Sequence, residues 1–114
     1  MKVFVYGTLK KGYGNHRLLE SSINLGPYTT KKKYTLLHLG GFPGLIKEPL
    51  SHIRGELYEV DDVVLKRLDW LEGHPDFYCR EEIETFEDGT PIITYIFNHS
   101  PRQKYTILEE GVWP

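Results

Sequence analysis

The sequence predicts an α+β domain in which strands predominate and one helix is well formed. Its 114 residues are the length of one domain. Eight tyrosines suit a sheet-rich fold, because a tyrosine ring can pack on a sheet while its hydroxyl stays wet. The hydrophobic pattern indicates a strand, a short helix, several strands, one longer helix and then strands to the end. Neither a repeat nor a linker divides the chain, so we expect a single domain over residues 1–114.

The composition argues against several classes of partner. Hydrophobic residues make up 39% of the chain and charged residues 26%, which is ordinary for a soluble globular protein. A net charge of −2 argues against a protein that binds nucleic acid by neutralising phosphates. The one dense basic run, Lys31-Lys32-Lys33, is typical of a solvated loop or an edge strand, with an anionic partner as the alternative.

The cysteine and histidine content predicts a protein of a reducing compartment without a metal. A single cysteine, Cys79, excludes an internal disulfide, and neither a signal peptide nor an apolar run of membrane-spanning length is evident. We therefore expect a cytoplasmic protein without a membrane partner. The five histidines lack zinc-type spacing, and the chain has no phosphate-loop or dinucleotide fingerprint.

The first predicted strand, Lys2 to Tyr6, runs into a glycine and then a hydroxyl residue. A strand that ends on Gly7 can turn sharply and leave successive backbone N–H groups directed at one spot. Such a concavity binds carboxylates and oxyanions. We expect a pocket at the end of this strand.

Most remaining elements follow from turn residues and alternation. The glycine-rich segment Gly40–Gly44 predicts a loop, and residues 87–90 have the composition of a hairpin turn. The other predicted elements are a short helix that Asn15 caps and that runs to about Ser21, and strands at Tyr28–Leu39, Ile53–Val60, Tyr78–Phe86, Ile92–Phe97 and Tyr105–Leu108.

The longer helix is predicted from about Asp62 to Glu72. Asp61 or Asp62 supplies the N-cap, and Gly73 with Pro75 ends the helix. One side of the helix is apolar and carries Val64, Leu65, Leu68 and Leu71. Trp70 falls opposite this stripe, where packing under a neighbouring loop is favoured over a contact surface.

Glu72 is the acid that the helical geometry singles out. It lies roughly 50° from the centre of the apolar stripe, whereas Asp69 lies about twice as far away, so we expect Glu72 to face inward and Asp69 to face water. Burial and the negative end of the helix dipole both raise a carboxyl pKa. We therefore hypothesise that Glu72 is a general acid/base; the alternative is an ordinary helix-end glutamate in solvent.

Tyr6 and Arg80 each have two possible roles. Tyr6 either lines the pocket or packs as a strand aromatic. Tyr78 and Arg80 alternate on one strand and share a face. Arg80 pairs with a carboxylate, either that of a substrate or, as we favour, a structural one. Trp113 lies near the end of the chain and is buried only if the tail docks.

Separated segments of the chain resemble the γ-glutamylcyclotransferase-like (AIG2-like) family, most closely the γ-glutamylamine cyclotransferases. The likeness follows the family's order along most of the chain. The segments that carry it are Val5-Tyr6-Gly7-Thr8-Leu9-Lys10-Lys11-Gly12, Asn15-His16, Gly41-Phe42-Pro43-Gly44-Leu45, Gly55-Glu56-Leu57-Tyr58-Glu59-Val60-Asp61, Leu68-Asp69, Glu72-Gly73 and Tyr78-Cys79-Arg80.

The resemblance implies a small mixed β-barrel with flanking short helices and a cavity lined by the loop from Tyr6 to Leu9. It implies that Glu72 is catalytic and that a γ-glutamyl amine or γ-glutamyl amino acid is converted to 5-oxoproline and a free amine without a cofactor. The substrate-binding residues that we expect are Tyr6, Gly7, Thr8, Leu9, Tyr78 and Arg80. The alternative is a binding domain of the same fold that captures an amino-acid-like ligand without turnover. The oligomeric state stays open.

Overall fold

The computed structural model describes residues 1–98 and 105–114. One α-helix, one short 3-10 helix and six strands form this part of the chain. In chain order they are β1 (Lys2–Val5), the 3-10 helix (His16–Leu19), β2 (Ile23–His38), β3 (Pro43–Glu59), α1 (Asp62–Glu72), β4 (Tyr78–Thr85), β5 (Pro91–Phe97) and β6 (Thr106–Ile107).

The strands form one six-stranded mixed sheet in the order β4-β5-β1-β3-β2-β6. The first strand lies near the middle, antiparallel to β3 and parallel to β5. The sheet curls into a half-barrel, and α1 packs against one of its faces. The predicted α+β class and the small mixed barrel are therefore confirmed.

A buried carboxylate, that of Glu84 on β4, joins the two sides of the curl. Its Oε1 accepts hydrogen bonds from the Tyr28 hydroxyl and the Lys31 N–H, both at 2.8 Å. Its Oε2 accepts from the Lys32 N–H at 3.0 Å and from the Tyr34 hydroxyl at 3.4 Å. All four donors belong to β2, which pairs with β3 and β6 and not with β4. Glu84 thus closes the half-barrel where the backbone ladder does not.

Alternation along β1 divides the hydrophobic core between the two faces of the sheet. Val3 and Val5 belong to the cluster that packs under α1. Phe4 and Tyr6 belong to a second cluster on the other face, which Trp113 also joins. The ring of Trp113 is 7% exposed and stacks on His38 with ring centroids 4.8 Å apart, so the C-terminal tail docks on the sheet.

The predicted bounds of α1 are confirmed, but its buried face differs from the prediction. The carboxylate of Asp61 caps the helix by accepting from the Val64 N–H at 2.8 Å, and Gly73 ends it with a φ of 64°. Leu71, predicted to be buried, is 39% exposed, because the buried face is centred on Val64, Leu65 and Leu68. Trp70 is 87% exposed, so the expected packing under a loop is wrong.

Two further predictions need correction. Asn15 precedes the 3-10 helix, but its side chain makes no capping hydrogen bond; its amide donates to the Thr8 Oγ1 at 2.9 Å instead. The third strand begins at Pro43, ten positions before the predicted Ile53, because β2 and β3 form one long hairpin whose bulges interrupt the alternation. Within residues 1–98 and 105–114, no helix has the length and apolarity needed to cross a membrane.

Candidate active site

A narrow cleft lies at the end of β1, in the position that the sequence predicts. It encloses about 320 Å³ of space that atoms do not fill, part of it open to solvent. Its lining comes from β1 and the loop that follows, from the start of β3, from the end of α1, and from β4 and β5. These residues are Phe4, Val5, Tyr6, Gly7, Thr8, Leu9, Pro43, Glu72, Tyr78 and Tyr95.

The single acid in this lining is Glu72, the last residue of α1. Because the buried face of the helix is centred away from Leu71, Glu72 lies closer to its centre than the sequence predicts. Burial raises the pKa of its carboxyl group to about 7. In the described part of the chain the carboxyl group has no hydrogen-bond or ion-pair partner. It is free to exchange a proton with a ligand near neutral pH.

Three tyrosines surround this acid, and each hydroxyl donates to a protein oxygen. The Tyr6 hydroxyl donates to the Tyr95 carbonyl at 2.7 Å, and the Tyr78 hydroxyl donates to the Pro43 carbonyl. The Tyr95 hydroxyl donates to the Asp69 Oδ1 at 2.6 Å. Burial and the nearby Glu72 carboxylate raise the pKa of all three hydroxyls, so they stay protonated.

The loop after β1 is held by close packing and by Asn15. A Cβ on Gly7 would lie 2.3 Å from the Cγ of Pro43, so only glycine allows this approach of β1 to the start of β3. This requirement for Gly7 comes from packing, because its φ lies outside the left-handed region. Asn15 donates to Thr8 twice, from its N–H to the carbonyl at 3.1 Å and from its side-chain amide to the hydroxyl.

The backbone of this loop offers donors to the cleft. The N–H groups of Thr8 and Leu9 donate to no other group within residues 1–98 and 105–114. The Gly7 carbonyl accepts from the Lys10 N–H at 3.0 Å, which fixes the turn. Fixed N–H groups beside a proton-carrying acid suit a ligand that carries a carboxylate or develops an oxyanion.

Six of the seven predicted site residues line the cleft, and Arg80 does not. Its guanidinium pairs with the Asp69 Oδ2 at 3.1 Å, which is the structural pairing that the sequence analysis favours. Asp69 was expected to face water but is half-buried between Arg80 and Tyr95. The helical wheel misses this because it measures angles on one helix and does not register the strand beside it.

Four residues of the cleft lining were not among the predicted site residues: Phe4, Val5, Pro43 and Tyr95. Pro43 was read only as part of a loop, and Tyr95 only as part of a strand. The available signal for Tyr95 was its alternation with Ile93 and Phe97, which places the three on one face of β5. No cluster of three or more potential metal-ligating side chains occurs in the described residues.

The fold and the cleft together define a class: an α+β half-barrel with one high-pKa glutamate beside a loop of free backbone N–H groups. A family model described as "Gamma-glutamyl cyclotransferase, AIG2-like" matches residues 3–114. The chain belongs to this family. The match confirms the resemblance that the sequence motifs indicate.

Individual relatives agree with this assignment. A Methanocaldococcus jannaschii protein named provisionally as a gamma-glutamylcyclotransferase is 41% identical, over 96% of this chain and 92% of its own. A Danio rerio protein named gamma-glutamylaminecyclotransferase B is 42% identical, over 72% of this chain and 48% of its own. The solution structure of Escherichia coli YtfP superposes with a TM-score of 0.78 at 29% identity and covers 99% of this chain and 96% of that one.

Proposed function

We propose that this protein is a cyclotransferase that converts a γ-glutamyl amine or γ-glutamyl amino acid to 5-oxoproline and a free amine. The observation that carries the proposal is the isolated Glu72 carboxyl group, whose pKa is raised to about 7 by burial. The names of the Methanocaldococcus jannaschii and Danio rerio relatives support the reaction class.

The substrate supplies its own nucleophile. Its α-nitrogen attacks the γ-carbonyl carbon to form a five-membered ring, and the bond from that carbon to the amide nitrogen breaks. The enzyme must fold the substrate so that these atoms meet, and must then move protons. No covalent enzyme intermediate is required, because the nucleophile is the substrate's own nitrogen. No oxidant is required, because no atom changes oxidation state.

Glu72 is the proton carrier in this scheme. Its carboxylate takes one proton from the substrate ammonium, which frees the lone pair for attack. The same carboxyl group then protonates the departing nitrogen. The ring nitrogen gives up two protons in all; the second passes to solvent or to the released amine. A group with a pKa of about 7 is suited to both steps, because it neither holds nor releases its proton strongly at neutral pH.

The N–H groups of Thr8 and Leu9 supply the complementary charge stabilisation. They bind either the α-carboxylate of the substrate or the oxyanion that forms on the γ-carbonyl during attack. Both tasks need the same donors, held rigidly beside Glu72. Asn15 and the contact of Gly7 with Pro43 hold them.

The test is release of 5-oxoproline from a panel of γ-glutamyl amines, γ-glutamyl amino acids and glutathione. Glu72→Gln keeps the size of the side chain and removes the titrating proton. We expect a loss of at least a hundredfold in kcat, with a small change in KM. Glu48→Gln is the matched control, because Glu48 is exposed and does not line the cleft, and should be fully active.

The pH profile of the wild type provides a second readout. Because Glu72 must begin as the carboxylate, kcat/KM should rise with pH through about 7. Binding of these compounds without 5-oxoproline release from any of them would instead favour a ligand-binding domain. Full activity of Glu72→Gln would exclude Glu72 as the proton carrier.

A further inference from the structure

Each of the three tyrosine hydroxyls of the cleft donates its hydrogen bond to an acceptor of the protein. The acceptors for Tyr6 and Tyr78 are backbone carbonyls, which cannot donate in return. The acceptor for Tyr95 is Asp69, whose other oxygen pairs with the Arg80 guanidinium. A carboxylate paired in this way is an acceptor only.

A hydroxyl that has donated its single proton retains only lone pairs. No group of the described residues donates a hydrogen bond to the Tyr95 hydroxyl oxygen. It lies on β5 against the side of α1 that carries Asp69 and Glu72, which are neighbours at a spacing of three residues. The cleft therefore contains a free acceptor at Tyr95, while the loop after β1 presents N–H donors.

We propose that the Tyr95 hydroxyl accepts a hydrogen bond from the α-ammonium of the substrate, and that Asp69, held by Arg80, is the positioning residue that fixes the direction of this acceptor. The proposal rests on the proposed function for the identity of the ligand. It gives Arg80 an indirect role, through Asp69, in place of direct contact with substrate. It also explains how the α-nitrogen is brought to Glu72, because an acceptor beside a carboxylate favours a cation at that point.

Binding of two small acids tests the acceptor without requiring turnover. L-Glutamate and glutarate differ only in the α-ammonium group. By titration calorimetry, the wild type should bind glutamate more tightly than glutarate. Tyr95→Phe should remove most of this preference, a change of ten- to a hundredfold for a hydrogen bond to a charged group, and leave glutarate binding unchanged.

Tyr105→Phe is the matched control, because Tyr105 is half-exposed and absent from the cleft, and it should keep the preference. An unchanged preference in Tyr95→Phe, an equal loss for both acids, or no glutamate binding by the wild type would overturn the proposal. Loss of the preference without 5-oxoproline release from any γ-glutamyl compound would uphold this inference and reject the proposed function.

The positioning role of Asp69 is tested by a double-mutant cycle on the same preference. Asp69→Ala frees the Tyr95 hydroxyl to rotate and should weaken the preference for glutamate. In the Tyr95→Phe background the same change should have no further effect, because there is no hydroxyl left to orient. Additive losses would show that Asp69 acts independently of Tyr95 and would overturn this part of the proposal.

Discussion

At the scale of single residues, the surroundings of Glu72 disfavour the ionised form of its carboxyl group. Its pKa is about 7 in the folded protein, against 4.5 for an unperturbed glutamate, and burial is the cause. The folded state therefore binds this proton more tightly than the unfolded chain does. Ionising Glu72 costs stability as the pH rises from 4.5 to 7, and the full penalty remains above pH 7.

Glu72→Gln should consequently stabilise the protein at high pH and not at low pH. Each pKa unit corresponds to about 1.4 kcal/mol, so the free energy of unfolding of the variant should gain about 2 to 3 kcal/mol on the wild type between pH 5 and pH 8. Urea unfolding of both proteins at the two pH values measures this. Glu48→Gln should show no such gain, and a pH-independent difference for Glu72→Gln would contradict the raised pKa.

Sequence reasoning reached Glu72 and missed Asp69 for the same physical reason. The two acids lie on one side of α1, and helical periodicity correctly places Glu72 near its apolar face. Periodicity describes one element alone, however. The hydrogen bond and the ion pair of Asp69 come from Tyr95 and Arg80, which belong to two different strands. Residues whose environment is made by another element cannot be assigned from spacing.

At the scale of elements, the contact between the loop after β1 and the start of β3 shapes the cleft. Gly7→Ala would place a Cβ 2.3 Å from the Cγ of Pro43, and either the loop or the proline must move. We expect a loss of about 2 kcal/mol in the free energy of unfolding, together with a fall in activity, because the Thr8 N–H shifts with the loop. Denaturant unfolding and the 5-oxoproline assay measure the two effects.

A compensating change separates this clash from any other role of Gly7. Pro43→Ala removes the Cγ and Cδ that approach Gly7, so the double variant should recover much of the loss. Gly14→Ala is the control, since nothing lies within 4 Å of its added Cβ and its φ lies outside the left-handed region. Failure of Pro43→Ala to relieve Gly7→Ala would show that the contact does not set the loop.

The elements themselves were predictable to different degrees. The bounds of α1 follow from a capping aspartate and a terminal glycine, and both signals are local. The start of β3 was missed because register shifts at Asn24/Gly26, Thr29/Lys33 and Tyr34/Thr35 break the alternation along the hairpin. A bulge is stabilised by its partner strand, so a single sequence segment does not disclose it.

At the scale of the whole molecule, closure of the half-barrel depends on Glu84. This carboxylate is 7% exposed and accepts from four donors of β2. Glu84→Gln replaces one accepting oxygen by a donating amide, which leaves buried donors without partners. We expect a loss of about 3 kcal/mol in the free energy of unfolding, measured in urea. Glu82→Gln, on the exposed face of the same strand, should change it by less than about 0.5 kcal/mol.

The curl itself was implied by the family resemblance and not by the pattern of residues. The bonds of Glu84 join positions that are fifty or more residues apart. Hydrophobic periodicity reports which face of a strand is buried, and it carries no information on which distant strand completes that face. An equal effect of Glu84→Gln and Glu82→Gln would show that closure is made by the apolar core alone.

The sheet order has a consequence for the newly made chain. Because β5 is inserted between β4 and β1, the floor of the cleft joins strands that lie far apart along the chain. A ribosome-bound fragment that stops before Pro91 contains Glu72 and the loop of Thr8, yet lacks Tyr95 and the strand that joins β4 to β1. Catalytic competence should therefore arise abruptly, only after β5 has been synthesised, and a protein divided at the turn before β5 should be inert until its two pieces reassociate.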